Sequence, residues 1–220
     1  MRATAQRAGA ELVLELALVE PRLEPAIREL GFAPDGHRYV RRFPADAPHA
    51  ERAAARFPLV AAELVRQTAR LSPAPWEDAL AELIRRSDGV DWWLAGSAAL
   101  AVRGLDIAPR DLDVIAGSAG AAALADALAD ALVEPLAPGG RLGEWWTRAF
   151  LGARVEIVGD VRPEVDDPEP TDFGPVAAAR LETVRWRGRA VRVPPLELQL
   201  AVSERRGLGE RARLIRAVLA

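Results

Sequence analysis

Residues 94–114 read LAGSAALAVRGLDIAPRDLDV, and this stretch decides the fold. The mostly apolar run Val90–Ala95 predicts a strand buried on both faces that leads directly into Gly96-Ser97. Ala98–Val102 predicts the start of a helix, which Gly104 is well suited to close. The stretch therefore predicts a strand, a glycine turn, a short helix and a second strand.

The second strand carries two carboxylates. Because side chains alternate along a strand, Asp111 and Asp113 share one face, roughly 7 Å apart, while Leu112 and Val114 point into the core. Two such carboxylates repel and raise each other's pKa, so a bound divalent cation is the natural way to keep both ionised. Hard oxygen ligands favour Mg²⁺ or Mn²⁺ over Zn²⁺.

The Gly96-Ser97 turn predicts an anion-binding position. At the start of a helix, backbone N–H groups point outward and the helix dipole is positive, and the serine hydroxyl adds a donor. Phosphate oxygens fit this environment. With the two carboxylates nearby in the chain, the turn predicts a site for a nucleoside triphosphate and its magnesium.

These motifs resemble the nucleotidyltransferase superfamily with the DNA polymerase β-like fold. Its pattern is a hydrophobic residue, Gly and then Gly or Ser, a helix, and Asp-hydrophobic-Asp-hydrophobic, which Leu94–Ser97 and Arg110–Val114 match. The resemblance is strongest to minimal and aminoglycoside-modifying nucleotidyltransferases and to AbiEii-type toxins. It implies transfer of a nucleoside monophosphate, AMP in the first instance, from a nucleoside triphosphate to an acceptor hydroxyl, with two magnesium ions.

The resemblance also implies a third carboxylate on a later strand, and Glu156 within Arg154–Val158 is the candidate, as a metal ligand or as the base. Gly96, Ser97 and Arg110 are the candidate nucleotide-binding residues. Similarity spans about residues 76–220. Gln199 departs from the family, which has a lysine there, and this departure leaves the substrate open.

The sequence leaves two functional interpretations open. One is a metal-dependent nucleotidyltransferase whose acceptor is a small molecule, a protein or an RNA. The other is a catalytically silent nucleotide-binding or regulatory protein, such as one component of a toxin–antitoxin pair. The absent family lysine and the unusual N-terminal module motivate the second interpretation.

The composition excludes several classes of chemistry. The 220 residues contain no cysteine and no lysine, so all 29 basic residues are arginine. This excludes disulfides, a Walker-A phosphate loop and Schiff-base catalysis, and any phosphate clamp must use guanidinium groups. The net charge of −3 gives no global electrostatic case for nucleic acid or an anionic membrane.

The two histidines, His37 and His49, are too few to favour a histidine-based triad or a zinc site. The N-terminal apolar run is interrupted by Glu11 and Glu15, which does not fit a signal peptide. No apolar stretch approaches the length of a membrane span. We therefore expect a cytoplasmic protein without a membrane partner.

We expect an α/β (α+β) fold in which a small mixed sheet is flanked by helices. An N-terminal helix-and-hairpin module would span residues 1–72, and a nucleotidyltransferase-like domain with C-terminal helices would span residues 73–220. Helices are predicted over 11–31, 50–71, 76–86, 118–132 and 209–220, with another opening at Pro194-Pro195, and hairpins over 32–43, 145–161 and 181–193. Residues 163–175 are rich in proline and acids and predict a solvated loop.

Overall fold

The computed structural model describes all residues, 1–220. The first 70 residues form a four-stranded antiparallel sheet and two helices. The strands pair in the order β1-β2-β4-β3, where β1 is Arg2–Ala8, β2 Glu11–Ala17, β3 Ala33–Asp35 and β4 Arg38–Pro44. Helix α1 spans Glu24–Glu29, and helix α2, Ala50–Thr68, packs against β1 and β2.

The predicted hairpin over 32–43 is confirmed, with Asp35 paired to Arg38 across the turn at Gly36. The helix predicted to begin at Glu11 is wrong, because Glu11–Ala17 is a strand that pairs with a neighbour on each side. Leucines 12, 14 and 16 alternate with period two and are buried. Val13 and Glu15 between them are buried too, so the strand is buried on both faces, although Glu11, Val13 and Glu15 alternate with the leucines.

The rest of the chain is built on a five-stranded mixed sheet of order β5-β6-β9-β8-β7. Only β6 and β9 are parallel neighbours. The strands are β5 (Trp92–Ala95), β6 (Asp111–Ala116), β7 (Leu132–Pro138), β8 (Gly143–Phe150) and β9 (Arg154–Val161). The helices are α3 (Trp76–Arg86), α4 (Gly96–Ala101) and α5 (Ser118–Ala127). The mixed α+β class expected from the sequence is confirmed.

The C-terminal elements follow the sequence prediction. A two-stranded hairpin, β10 (Glu182–Trp186) and β11 (Arg189–Val193), turns at Arg187-Gly188. A short helix α6 (Pro175–Ala178) precedes it, and helices α7 (Leu196–Arg205) and α8 (Gly209–Leu219) follow it and pack on each other. None of the helices combines the length and apolarity that crossing a membrane requires.

Strand β7 was not predicted, and the helix expected over 118–132 ends at Ala127. Pro135 lies inside β7, and proline within a run argues against a strand unless the strand lies at an edge. β7 is an edge strand with irregular pairing to β8. Its outer neighbour is α2, and Val133 and Ala137 are buried in the same core as the N-terminal sheet.

Candidate active site

Five side chains form one row across the large sheet. In strand order they are Ala95, Asp113, Glu156, Arg148 and Glu134, each paired directly with the next. Residues opposite each other on neighbouring strands point to the same face of a sheet. The strand register therefore gathers three acids and an arginine that are up to 43 positions apart in the sequence.

Asp111, Asp113 and Glu156 converge at this row. Each offers a carboxylate oxygen, and these three oxygens lie within 4.8 Å of one another. Leu112 and Val114 are fully buried in the core on the opposite face, as the alternation predicts. The three residues named from the sequence are thus brought together, and a set of hard oxygen donors fits a cation such as Mg²⁺.

The glycine turn lies directly against Asp113. Gly96 has a φ of +63°, and a Cβ on it would lie 2.2 Å from Oδ2 of Asp113. Only glycine fits both the left-handed backbone and this close approach. Ser97 and Arg110 line the same cleft, of about 590 Å³, as Asp111 and Asp113.

Gln199 supports the glycine turn through a hydrogen bond. Its side chain is 1% exposed, and Nε2 donates a hydrogen bond to the Gly96 carbonyl at 2.9 Å and a longer one to Asp172 Oδ2 at 3.4 Å. Asp172 is itself buried, so the solvated loop expected over 163–175 is wrong at this residue. Gln199 therefore holds the glycine turn in place.

Two arginines that the sequence analysis did not assign to the site hold the carboxylates. Arg154 Nη2 contacts Asp111 Oδ2, and Arg154 Nε lies 3.5 Å from Glu156 Oε1. Arg148 donates to Glu156 Oε1 from Nε at 3.0 Å and from Nη2 at 2.8 Å, and also contacts Glu134. The two-residue spacing from Arg154 to Glu156 is the signal that could have found the first of them.

The electrostatics differ between the two neighbouring acids. Burial first, and then the charges of Asp111 and Glu156, raise the pKa of Asp113 to about 8. Burial would also raise the pKa of Glu156, but Arg148 and Arg154 outweigh it and lower that pKa below its ordinary value. The need for further positive charge is therefore greatest beside Asp113.

The cleft holds further guanidinium groups. Arg206, just after α7, and Arg211, in the first turn of α8, line it together with Gly96 and Asp113, and neither forms a salt bridge. Arg110 lies 3.7 Å from Glu29 Oε1. Cations without carboxylate partners suit an anionic ligand such as a phosphate.

A second pocket, of about 200 Å³, is lined by Asp113 and Glu156. Its lining is mostly apolar and comprises Ala95, Gly96, Val114, Ile115, Leu142, Trp146, Val158, Asp172, Phe173 and Arg206 besides the two acids. Asp113 therefore lines both a polar cleft that contains several guanidinium groups and a mostly apolar pocket.

Comparison with known proteins adds one structural likeness. No protein-family model and no curated protein sequence matches the chain. Among solved structures, the chain is similar to a protein from Thermotoga maritima described as a "putative nucleotidyltransferase". The two share 21% identity, and the match covers 67% of this chain and 95% of that chain with a TM-score of 0.49.

Proposed function

We propose that this chain is a nucleotidyltransferase that moves a nucleoside monophosphate from a nucleoside triphosphate to an acceptor hydroxyl. The observation that carries the proposal is the close approach of Gly96 to Asp113, one of three carboxylates whose oxygens lie within 4.8 Å of one another. In the reaction, the acceptor oxygen forms a bond to the α-phosphorus and loses its proton. The bond from that phosphorus to the bridging oxygen breaks, and pyrophosphate leaves.

Different residues would bind the cation and the phosphates. Asp111, Asp113 and Glu156 would hold Mg²⁺ or Mn²⁺. A bound divalent ion would polarise the α-phosphate and offset the charge of the leaving pyrophosphate. The Gly96-Ser97 turn would orient the phosphate chain, with Arg110 as the guanidinium named from the sequence.

Arg206 and Arg211 extend this phosphate-binding role. Both side chains line the cleft that contains Asp111 and Asp113, and neither is engaged by a carboxylate. The chain has no lysine, so guanidinium groups are its only side chains with a permanent positive charge. We assign these two arginines to the β- and γ-phosphates.

Glu156 is better suited to bind a cation than to remove a proton. Two arginines contact its Oε1 and lower its pKa. A carboxylate with a lowered pKa is a weak general base, because catalysis by a base is most efficient when its pKa is near the working pH. We therefore favour the ligand role for Glu156 over the base role.

The test is incubation with magnesium, a lysate of possible acceptors and ATP or another nucleoside triphosphate labelled at the α-phosphate. Label should appear on an acceptor, and γ-labelled nucleotide should yield only labelled pyrophosphate. Asp111→Asn and Asp113→Asn should abolish the transfer while the circular dichroism spectrum stays unchanged.

Asp160→Asn is the matched control for these variants. Asp160 lies on the same strand as Glu156, but its carboxylate contacts Ser118 and is not part of the acidic cluster. It should therefore retain full transfer. Transfer that survives in both Asp111→Asn and Asp113→Asn would refute the assignment.

Two observations favour the silent nucleotide-binding alternative. Arg154 already neutralises Asp111, and Gln199 stands where the resembling family has lysine. Calorimetry with ATP and magnesium, followed by a pyrophosphate assay over hours, separates the two functions. Binding without pyrophosphate release would favour the silent protein.

A further inference from the structure

Arg154 places a positive charge against the acidic cluster. It is the direct partner of Asp111 across the parallel pair β6 and β9, just as Glu156 is the partner of Asp113. Its guanidinium contacts Asp111 Oδ2 through Nη2, and its Nε lies 3.5 Å from Glu156 Oε1. Nη2 is also 3.3 Å from Glu29 Oε1 on α1. One positive charge is thus placed between two of the three proposed metal ligands.

This guanidinium is a fixed part of the site. β9 is the middle strand of the sheet, hydrogen-bonded to β6 on one side and to β8 on the other. The Arg154 side chain is only 5% exposed, and its buried Nε has no hydrogen-bond acceptor. Its orientation therefore follows from the charges of Asp111, Glu156 and Glu29 around it. Moving it away would leave a buried guanidinium without these partners, which is costly.

The guanidinium groups also offset carboxylate charge that a cation would otherwise meet. Asp111, Asp113, Glu156 and Glu134 contribute four negative charges when ionised, and Arg154, Arg148 and Arg41, which pair with these acids, contribute three positive ones. Glu29 and Asp172 add negative charge at the edge of the cluster. The carboxylates beside Arg154 therefore retain less negative charge with which to hold a second divalent ion.

We propose that Arg154 permanently replaces one of the two metal ions expected from the sequence, so that Asp111, Asp113 and Glu156 hold a single divalent cation. This inference rests on the proposed function for the identity of the cation. The guanidinium occupies the side of the cluster between Asp111 and Glu156. The single ion then lies toward Asp113, whose Oδ2 faces the Gly96 turn.

The test counts Mn²⁺ ions bound to the full chain by electron paramagnetic resonance. Two equivalents of Mn²⁺ are added with an α,β-methylene analogue of ATP, so that ions bound through the phosphates are included. The wild-type chain should bind one ion and leave the other as free hydrated Mn²⁺. Two ions roughly 3.5–4 Å apart, as in two-metal sites, would instead give a spin-coupled signal.

Three variants test the role of the charge on Arg154. Arg154→Met should bind both ions with a coupled signal, and its first ion should bind on the order of tenfold or more tightly. Arg154→Lys keeps a positive charge and should still bind one ion. Arg189→Met, at an exposed position on β11, is the control and should match the wild type.

The outcomes separate this inference from the proposed function. Two coupled ions in the wild type, or a folded Arg154→Met chain that still binds only one, would overturn the role of Arg154. The wild-type count decides the question even if Arg154→Met does not fold. One bound ion without nucleotide transfer would reject the proposed function alone, and no bound ion would reject both.

Discussion

Replacing Gly96 by alanine should damage the site far more than it damages the fold. The residue has a φ of +63°, and a left-handed conformation costs a non-glycine residue about 1–2 kcal/mol. The new Cβ would also lie 2.2 Å from Asp113 Oδ2, closer than the 3.0 Å that real Cβ contacts keep. The carboxylate must therefore move by at least about 0.8 Å.

A displacement of this size is large for a catalytic group. Misplacing a reacting group by about 1 Å can reduce the rate by about 100-fold. We expect Gly96→Ala to lose about 1–2 kcal/mol of unfolding free energy from backbone strain. We expect a loss of about 100-fold in nucleotide transfer, with weaker Mn²⁺ binding, from the displacement of Asp113.

Gly104→Ala is the matched control, because Gly104 lies just beyond the other end of α4. Its φ is +89°, and a Cβ there would meet nothing within 4 Å. It should lose similar stability but keep transfer and Mn²⁺ affinity. Urea unfolding, Mn²⁺ titration and transfer of α-labelled phosphate measure the three quantities. Equal effects of both variants on all three would refute the argument from the Gly96–Asp113 contact.

Three further predictions follow from burial and charge. Without metal, the pKa of Asp113 rises from 3.8 to about 8 on folding, so the folded state binds the proton more tightly than the unfolded state. The unfolding free energy should therefore fall as the pH rises between these two values. Urea titrations at several pH values should show this decline in the wild type, and less of it with Mg²⁺ or in Asp113→Asn. Gln199→Met removes the donor to the Gly96 carbonyl, so the unfolding free energy measured with urea should fall by about 1–3 kcal/mol. The KM for the nucleotide should rise, and an unchanged KM would contradict the role of Gln199 in supporting the turn. Leu80→Ala, at a fully buried position, should cost about 2–5 kcal/mol, whereas Leu59→Ala, 75% exposed, should stay within about 0.5 kcal/mol in thermal unfolding.

The core of the site could be predicted because it depends on local rules. Asp111 and Asp113 share a face through two-residue alternation, and the turn at Gly96 needs only the sequence around it. Glu156 was found by resemblance, and its placement beside Asp113 also needs the register of β6 with β9. Local patterns contain no information about that register.

The parts that were missed depend on contacts between distant segments. Arg148 joins the site only because β8 pairs with β9 in one register, and Glu134 because β7 pairs with β8. Strand β2 was predicted as part of a helix, and its pairing with β1 and β4 is what makes it a strand. In each case the deciding interaction joins segments that no sequence window contains together.

The N-terminal sheet belongs to the electrostatics of the site as well as to the fold. Arg148 is 2% exposed, and an arginine so buried is tolerated only when its donors are satisfied and its charge is balanced. Glu156 and Glu134 balance the charge of Arg148. The carbonyl of Leu30, just after α1, accepts a hydrogen bond from Arg148 Nη1 at 3.0 Å. Arg41 of β4 binds the same carbonyl and lies 3.0 Å from Glu134 Oε2. Because the N-terminal part provides one of the partners that keep Arg148 buried, and Arg148 orients Glu156, the geometry of the carboxylate cluster depends on both parts of the chain.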